Sequence, residues 1–445
     1  MKNNSLIILL SVLCTGLSSI VAPVCAQKPL LTVVIVIDQF AHHYLRTLKP
    51  YLKYGFKTLL DNGIVYANSY YPHALPATAT GHASLNTGTY AKNHGIINNE
   101  WFDVDGKPVN SDDDTAVDAA VFSPDGFYNY GKSARNIMVD GVSDQICLQN
   151  NPNQTTDVFA ISLKSRAAIG MAGKLGKALW LDSASRFFTS SKAYFAEIPD
   201  WVSQFNKKAK LNKLKTIFWK TSYPRNSAAY EFKNIDNHEF TGCPAIAGTQ
   251  IPASINNKQY EDPLQRSPLG SQICLDFALE CINNHLTKKS KNSMLLWVSL
   301  SSLDLVGHAF GPNALETIDM IYHLDKQLHY FMHRITKKFG KQNVLYVLTA
   351  DHGIEPIPEI AALEGLPARR LMLGDWIPEI NALIAKELSP SPVRPLLRTA
   401  FHAPYLYFDM TVFNKLDHQQ KNRAIEIIKQ YLMKKTGHKK SLVIS

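Results

Sequence analysis

Apolar residues in this chain come in short unbroken blocks separated by longer amphipathic stretches. Residues 31–37 (Leu-Thr-Val-Val-Ile-Val-Ile) and 294–300 (Met-Leu-Leu-Trp-Val-Ser-Leu) are of strand length and nearly free of polar alternation. Such runs fit strands buried on both faces of a parallel sheet. Residues 157–163 and 344–348 repeat the pattern. Helical periodicity lies between them, in 55–62 closed by Gly63, in the small-residue stretch 167–175 and in 271–285. The longest such stretch is 313–339, where Leu315, Ile318, Tyr322, Leu328, Phe331 and Ile335 share a face before Gly340 stops the helix. Residues 64–71 read as a further strand, 178–182 with 186–190 as a hairpin, and 419–434 as a helix. This alternation predicts an α/β fold with a doubly wound, mostly parallel sheet flanked by helices. Between 101 and 268 it is broken by Asp-, Asn- and Gly-rich turns, which predicts an inserted region covering one end of the sheet.

The residues that follow each apolar block carry the chemistry. Asp38 directly follows the first, Asp304 and His308 follow the block at 294–300, and Asp351-His352-Gly353 follows the block at 344–348. In an open α/β sheet ligands bind beyond the carboxyl ends of the strands. A buried strand that ends in a carboxylate needs a metal or an ion-pair partner there. Asp304 and His308, four apart on one helix face, suit two ligands of one ion. Thr78 lies after a turn containing Pro72 and Pro76, just ahead of a helix predicted to begin near Gly81. Its hydroxyl needs an adjacent base or a metal to act as a nucleophile, and the free N–H groups of that helix would face an anion bound beside it. The plainer alternative is that Thr78 or Thr80 is an N-cap. Lys164 and Arg166 leave the 157–163 block, either as a solvated edge or as a clamp for a phosphate. His323, His329 and His333 read as surface or core-edge residues of the long helix.

Composition narrows the class. With 445 residues, 45% hydrophobic and 19% charged, the chain is globular and long enough for a large domain with an insertion. A basic start at Lys2, an apolar run from Leu6 to Val21 and small residues at Val24-Cys25-Ala26 predict a secretory leader of residues 1–26. That places the mature protein in the periplasm or outside the cell, with no later membrane span. The formal charge of +10 loses one with Lys2. Its scattered distribution favours small anionic substrates over nucleic acid. Cys147, Cys243, Cys274 and Cys281 remain after cleavage, enough for two disulfides whose pairing stays open. Cys274 and Cys281, on one helix, are too far apart to bond each other, and none of the four has zinc-ligand spacing.

Taken together, Thr78-x-x-x-His82, the turn His94-Gly95-Ile96-Ile97-Asn98-Asn99, Asp304-x-x-x-His308 and Asp351-His352-Gly353 resemble the alkaline phosphatase superfamily. Specifically, they resemble the PafA-type alkaline phosphatases related to nucleotide pyrophosphatase/phosphodiesterases. The match runs from about Thr32 to the chain end. It implies an alkaline-phosphatase-like catalytic core in 27–100 and 269–400, and an inserted cap in 101–268 carrying the Lys-x-Arg clamp. Residues 401–445 would begin a small C-terminal subdomain.

The resemblance further implies two zinc ions. Asp38, Thr78, Asp351 and His352 would hold one, and Asp304 and His308 would supply two ligands of the other. Thr78 would be phosphorylated during turnover, while Asn99, Lys164 and Arg166 hold the phosphoryl oxygens. The expected activity is an exported, zinc-dependent hydrolysis of small phosphate monoesters by a monomer. The alternatives are a phosphodiesterase or nucleotide pyrophosphatase, or a truncated, impaired relative. The family completes its second zinc site with a histidine near the C-terminus. Residues 405–409 and the helix after them align with the subdomain that precedes it. The chain is therefore expected to stop at Ser445 before that ligand, with His402 as the alternative ligand.

Overall fold

The structure, a computed structural model, describes residues 28–437 apart from 72, 74, 104, 233–245, 253–261, 389–391, 393 and 400–404. The leader 1–26, Cys243 and His402 lie outside the described residues.

Six strands build one sheet: β1 (Leu31–Ile37), β2 (Thr156–Ser162), β3 (Lys177–Leu181), β4 (Phe188–Thr189), β5 (Ser293–Leu300) and β6 (Val344–Thr349). Their order is β6-β1-β5-β2-β3-β4. All neighbours run parallel except β3 and β4. The central strand β1 shows why its sequence has no polar alternation. Leu31, Val33, Ile35 and Ile37 enter one apolar cluster, and Val34 and Val36 enter a second on the opposite face. Strand β5 divides in the same way, with Met294, Leu296, Val298 and Leu300 on one side and Leu295 and Trp297 on the other.

The helices that matter below are α1 (Gly55–Asn62), α2 (Thr78–Thr87), α3 (Ser165–Ala172), α4 (Pro268–His285), α5 (Ser302–Phe310), α6 (Leu315–Phe339), α7 (Leu373–Glu387) and α8 (His418–Thr436). Residues of α4, α5 and α6 fill the first cluster, and residues of α2 and α3 fill the second. The fold is thus a three-layer α/β sandwich with a mostly parallel sheet at its centre. A third apolar cluster joins Ile377, Ile380 and Ile384 of α7 to Ala424, Ile427, Ile428 and Leu432 of α8. Cys274 and Cys281 are both buried on α4, and they and Cys147 are free thiols.

One sequence expectation fails. Residues 64–71 form no strand, and Ile64 and Tyr66 are 83% and 79% exposed. Strand propensity is realised only when a neighbour supplies the ladder and a face to pack on. The run does not pair with β6, the edge strand on that side of the sheet. On β6 itself, Leu345 and Val347 are partly solvent-facing.

Residues 156–189, expected from the sequence to belong to the inserted region, supply β2, β3 and β4 to the central sheet, and residues 219–230 beyond them are held to the core by a buried carboxylate on α6. Asp319 is fully buried. It accepts hydrogen bonds from Trp219 Nε1 (2.7 Å), Tyr230 Oη (2.5 Å) and the Ser222 N–H (2.7 Å), and His323 Nε2 lies 3.3 Å away. Burial alone would raise its pKa, but His323, Tyr230 and Ser222 hold it below the usual carboxylate value. Asp319→Ala leaves those donors unpaired in the interior. It is expected to cost on the order of 3–5 kcal/mol in denaturant unfolding and to expose residues 216–230 to protease. Asp319→Asn, which keeps an acceptor oxygen, should lose less.

A second buried polar contact sets the turn that reaches the strand ends. His94 Nδ1 accepts from the Ile96 N–H at 3.1 Å, so Nε2 carries the proton and donates to Ser84 Oγ at 2.8 Å. Burial, with His73 nearby, lowers its pKa to about 4. Above about pH 6.5 His94 is neutral in both folded and unfolded chains and contributes no pH dependence. As pH falls from about 6.5 to about 4, the unfolded chain takes up the proton more readily and stability is lost. The drop in unfolding midpoint between pH 7 and pH 5 should therefore shrink in His94→Gln relative to the native chain, and an unchanged drop would exclude His94 as its source.

Candidate active site

Parallel pairing in register brings the strand exits to one level. Ile37 lies opposite Leu300, and Val36 opposite Thr349. The first residues beyond the strands therefore converge, and the Asp38 N–H still donates to the Leu300 carbonyl at 3.2 Å. Three carboxylates result from this: Asp38 directly after β1, Asp304 in the first turn of α5, and Asp351 two residues beyond β6. They are 0%, 2% and 0% exposed.

Three buried negative charges require cations. Lys164, at the N-cap of α3 beyond β2, supplies one. Its Nζ contacts Asp38 Oδ2 at 2.6 Å and also Asp304 Oδ2, and it lies 3.5 Å from Thr78 Oγ1. Burial opposes the charge on this ammonium, but Asp38 and Asp304 outweigh burial and raise its pKa. His352 is the second cationic partner. Its Nε2 lies 3.3 Å from Asp38 Oδ1, 3.5 Å from Asp351 Oδ2 and 4.0 Å from Asp304 Oδ1. Burial lowers its pKa, yet Asp351 and Asp38 drive it up to about 10. Against the cost of its burial, His82 and then His352 hold Asp351 down to about 2.

The donor set fits a metal ion. Ligand atoms of Asp38, Asp304 and His352 all lie within 4.8 Å of one another. Asp38 Oδ1 and Asp351 Oδ2 are buried and make no hydrogen bond of good geometry among the described residues; they face the His352 and His82 rings at 3.2–3.5 Å, an arrangement that a bound cation would complete. Mixed carboxylate and imidazole ligands suit zinc. His308, one turn after Asp304 on α5, reaches Asp304 Oδ1 at 3.1 Å, but its ring is 66% exposed. It stands at the rim of the cluster.

Thr78 is the first residue of α2, with Ala77 as N-cap and no side-chain cap. The N-cap reading of Thr78 and of Thr80 therefore falls away. The Thr78 hydroxyl stands at the positive end of a ten-residue helix. Asn99 Oδ1 accepts from the Ala79 N–H at 2.9 Å, which turns the amide's two hydrogens, both donors, away from that bond. Arg166, two residues beyond Lys164 on α3, is half-buried, and its Nε is without a hydrogen-bond partner. It lies close enough that its charge lowers the Lys164 pKa.

Two participants carried no assigned role in the sequence. His82, one turn after Thr78, places Nδ1 2.8 Å from the Thr78 carbonyl and 3.2 Å from Asp351 Oδ2, with Nε2 2.8 Å from Ser299 Oγ. It ties α2 to two strand ends, and the four-residue Thr-to-His spacing was its signal. Gly81 permits the approach, since a Cβ there would lie 2.4 Å from the Asp351 carbonyl oxygen. Gln39, next to Asp38, hydrogen-bonds to both Asp304 and Asp351. A buried amide in a strand-to-helix turn has no periodic signature.

Comparison with known proteins bears on the family and the fold. Alkaline phosphatase PhoV of Synechococcus elongatus is 34% identical over 359 residues, 79% of this chain and 64% of the relative. Alkaline phosphatase PafA of Elizabethkingia meningoseptica is 34% identical over 333 residues, 73% of this chain and 60% of the relative. The chain thus spans less than two thirds of the length of these curated relatives. The crystal structure of wild-type alkaline phosphatase PafA superposes with a TM-score of 0.77 at 30% identity, covering 94% of this chain and 78% of that one. Residues 32–441 match the family described as type I phosphodiesterase / nucleotide pyrophosphatase, and the chain belongs to that family.

Proposed function

We propose that this chain is an exported phosphatase that hydrolyses small phosphate monoesters through a covalent phosphate on Thr78. The observation that carries the reading is the Thr78 hydroxyl at a helix N-terminus, 3.5 Å from the Lys164 ammonium and beside a buried carboxylate–histidine cluster. The similarity to alkaline phosphatases supports it. Asp38, Thr78, Asp351 and His352 would hold one zinc ion, and Asp304 and His308 would contribute to a second. Bound zinc supplies Lewis acidity, which lowers the pKa of a coordinated hydroxyl and offsets charge on phosphoryl oxygens.

The chain's own groups then divide the work. Thr78 Oγ attacks phosphorus in line, forming an O–P bond as the ester O–P bond breaks and the alcohol leaves. Water subsequently displaces Thr78, giving inorganic phosphate. The N-terminal N–H groups of α2 face the phosphoryl group and favour its negative charge. The Asn99 amide donates to a non-bridging oxygen, while Lys164 and Arg166 oppose the extra charge that a monoester carries over a diester. For Lys164 to do so, its ammonium exchanges the Asp38 and Asp304 carboxylates for the substrate. The reading places the enzyme beyond the cytoplasmic membrane on the strength of residues 1–26, and among the described residues no helix is long and apolar enough to cross a membrane.

A second reading, hydrolysis of phosphodiesters, is favoured by the family match over residues 32–441. Turnover of an aryl phosphate monoester against a matched diester separates the two. The proposed enzyme prefers the monoester. Thr78→Ala should lose on the order of 10³-fold or more in kcat, and a phosphoryl group should be trapped on the Thr78 peptide of the native chain in acid-quenched reactions. Lys164→Ala with Arg166→Ala should cost about 10²–10³-fold on the monoester and much less on the diester. A native preference for the diester, unaffected by that double substitution, would establish the second reading. Chelation should abolish monoester turnover, and zinc should restore it.

A further inference from the structure

We propose that Gln39 is the positioning residue that ties the two carboxylate groups of the site together and selects which oxygen of each faces the metal. The inference rests on the reading that Asp304 and Asp351 hold metal ions. Gln39 is 3% exposed and has a left-handed backbone with φ of 67°, which non-glycine residues seldom adopt. A residue held in this region is over-determined by its surroundings. Here the surroundings are the two carboxylates. The Gln39 backbone N–H donates to Asp351 Oδ1 at 3.1 Å, and its side-chain Nε2 donates to Asp304 Oδ1 at 2.8 Å. A right-handed backbone at this position would turn the N–H and the side chain in other directions.

The consequence is an assignment of oxygens. Asp351 Oδ1 also accepts from the His352 N–H at 2.9 Å, so both of its donors are main-chain groups, while its Oδ2 faces the His82 and His352 rings at 3.2 and 3.5 Å. Asp304 Oδ1 is bonded to Gln39, while its Oδ2 meets the Lys164 ammonium. In both carboxylates Gln39 holds Oδ1, and Oδ2 faces other side chains, Lys164 at Asp304 and the His82 and His352 rings at Asp351; Asp304 Oδ1 also lies 3.1 Å from His308 Nε2. Such supporting hydrogen bonds to ligating carboxylates commonly govern metal affinity.

Gly307 belongs to the same device. A Cβ at position 307 would sit 1.9 Å from Gln39 Oε1, so glycine is what lets the amide lie flat against α5. The spacing Asp304-x-x-Gly307-His308 thereby gains a physical reason at its third interval. Gly307→Ala leaves every proposed ligand in place and favours the helix, yet it pushes the Gln39 amide off Asp304.

Zinc affinity of the full chain, measured by competition with a chromophoric chelator, tests the proposal alongside thermal unfolding of the metal-free proteins. Gln39→Leu keeps the size and the backbone N–H but loses the amide donor. It should weaken one zinc site about 10–100-fold. Gly307→Ala should weaken the same site, and the double variant should be no weaker than Gln39→Leu, because both act through one hydrogen bond. Native affinity in Gln39→Leu, or in Gly307→Ala should the former not fold, would overturn the inference. So would losses that multiply in the double variant, or a change confined to metal-free unfolding temperature. Asp304→Asn keeps the two readings apart. If it lacks one zinc equivalent that the native chain binds, the metal reading stands whatever Gln39 does. A native chain that binds no zinc removes both.

Discussion

Three buried carboxylates at the exits of neighbouring parallel strands are the constraint on which this structure depends. Asp38, Asp304 and Asp351 are brought together by strand register, and no fold buries three negative charges without supplying positive ones. The Lys164 ammonium and the high-pKa imidazole of His352 answer that demand in the protein alone. On the proposed reading a divalent ion would take over their charge, with His352 serving as one of its ligands. On that reading, metal would bind such a site by trading cations, freeing Lys164 for another anion. Structural stability and the proposed binding of a phosphate substrate would thus have one physical source.

The surrounding elements are placed to serve that cluster. The two apolar clusters grip β1 and β5 from opposite faces, which leaves the strand ends as the place where polar groups can accumulate. Helix α2 arrives with its N-terminus foremost, and Gly81 allows it to come within contact of the Asp351 backbone. Asn99 reaches the same helix end from the turn locked by His94. The Thr78 hydroxyl, a helix N-terminus and the Lys164 ammonium are therefore assembled from β1, β2, β5, β6 and the loops that follow them.

Much of this was legible in the sequence because burial on both faces leaves an unambiguous mark. The blocks at 31–37 and 294–300 could be read as central strands, and Asp38, Asp304 and Asp351 as their exits, since a carboxylate after an apolar run needs a reason. The placement of Thr78 beside those exits was legible from its company. The extended segment 64–71 misled because β propensity is a statement about pairing surfaces, and this run does not pair with β6. Gln39 and His82 stood inside the recognised stretches, but hydrogen bonds spanning 265 and 217 positions leave no local trace. The position of Lys164 between two carboxylates also depends on three-dimensional charge balance, which linear spacing does not encode.

The most direct test of this account is the position of zinc in a crystal of the full chain grown in excess zinc with orthovanadate, located by anomalous scattering at the zinc edge. The account predicts an ion bonded to Asp38, Thr78, Asp351 and His352, with the Lys164 ammonium moved from Asp38 and Asp304 onto the vanadate. A map with no zinc peak at the strand exits, and Lys164 still bridging the two carboxylates, would contradict it.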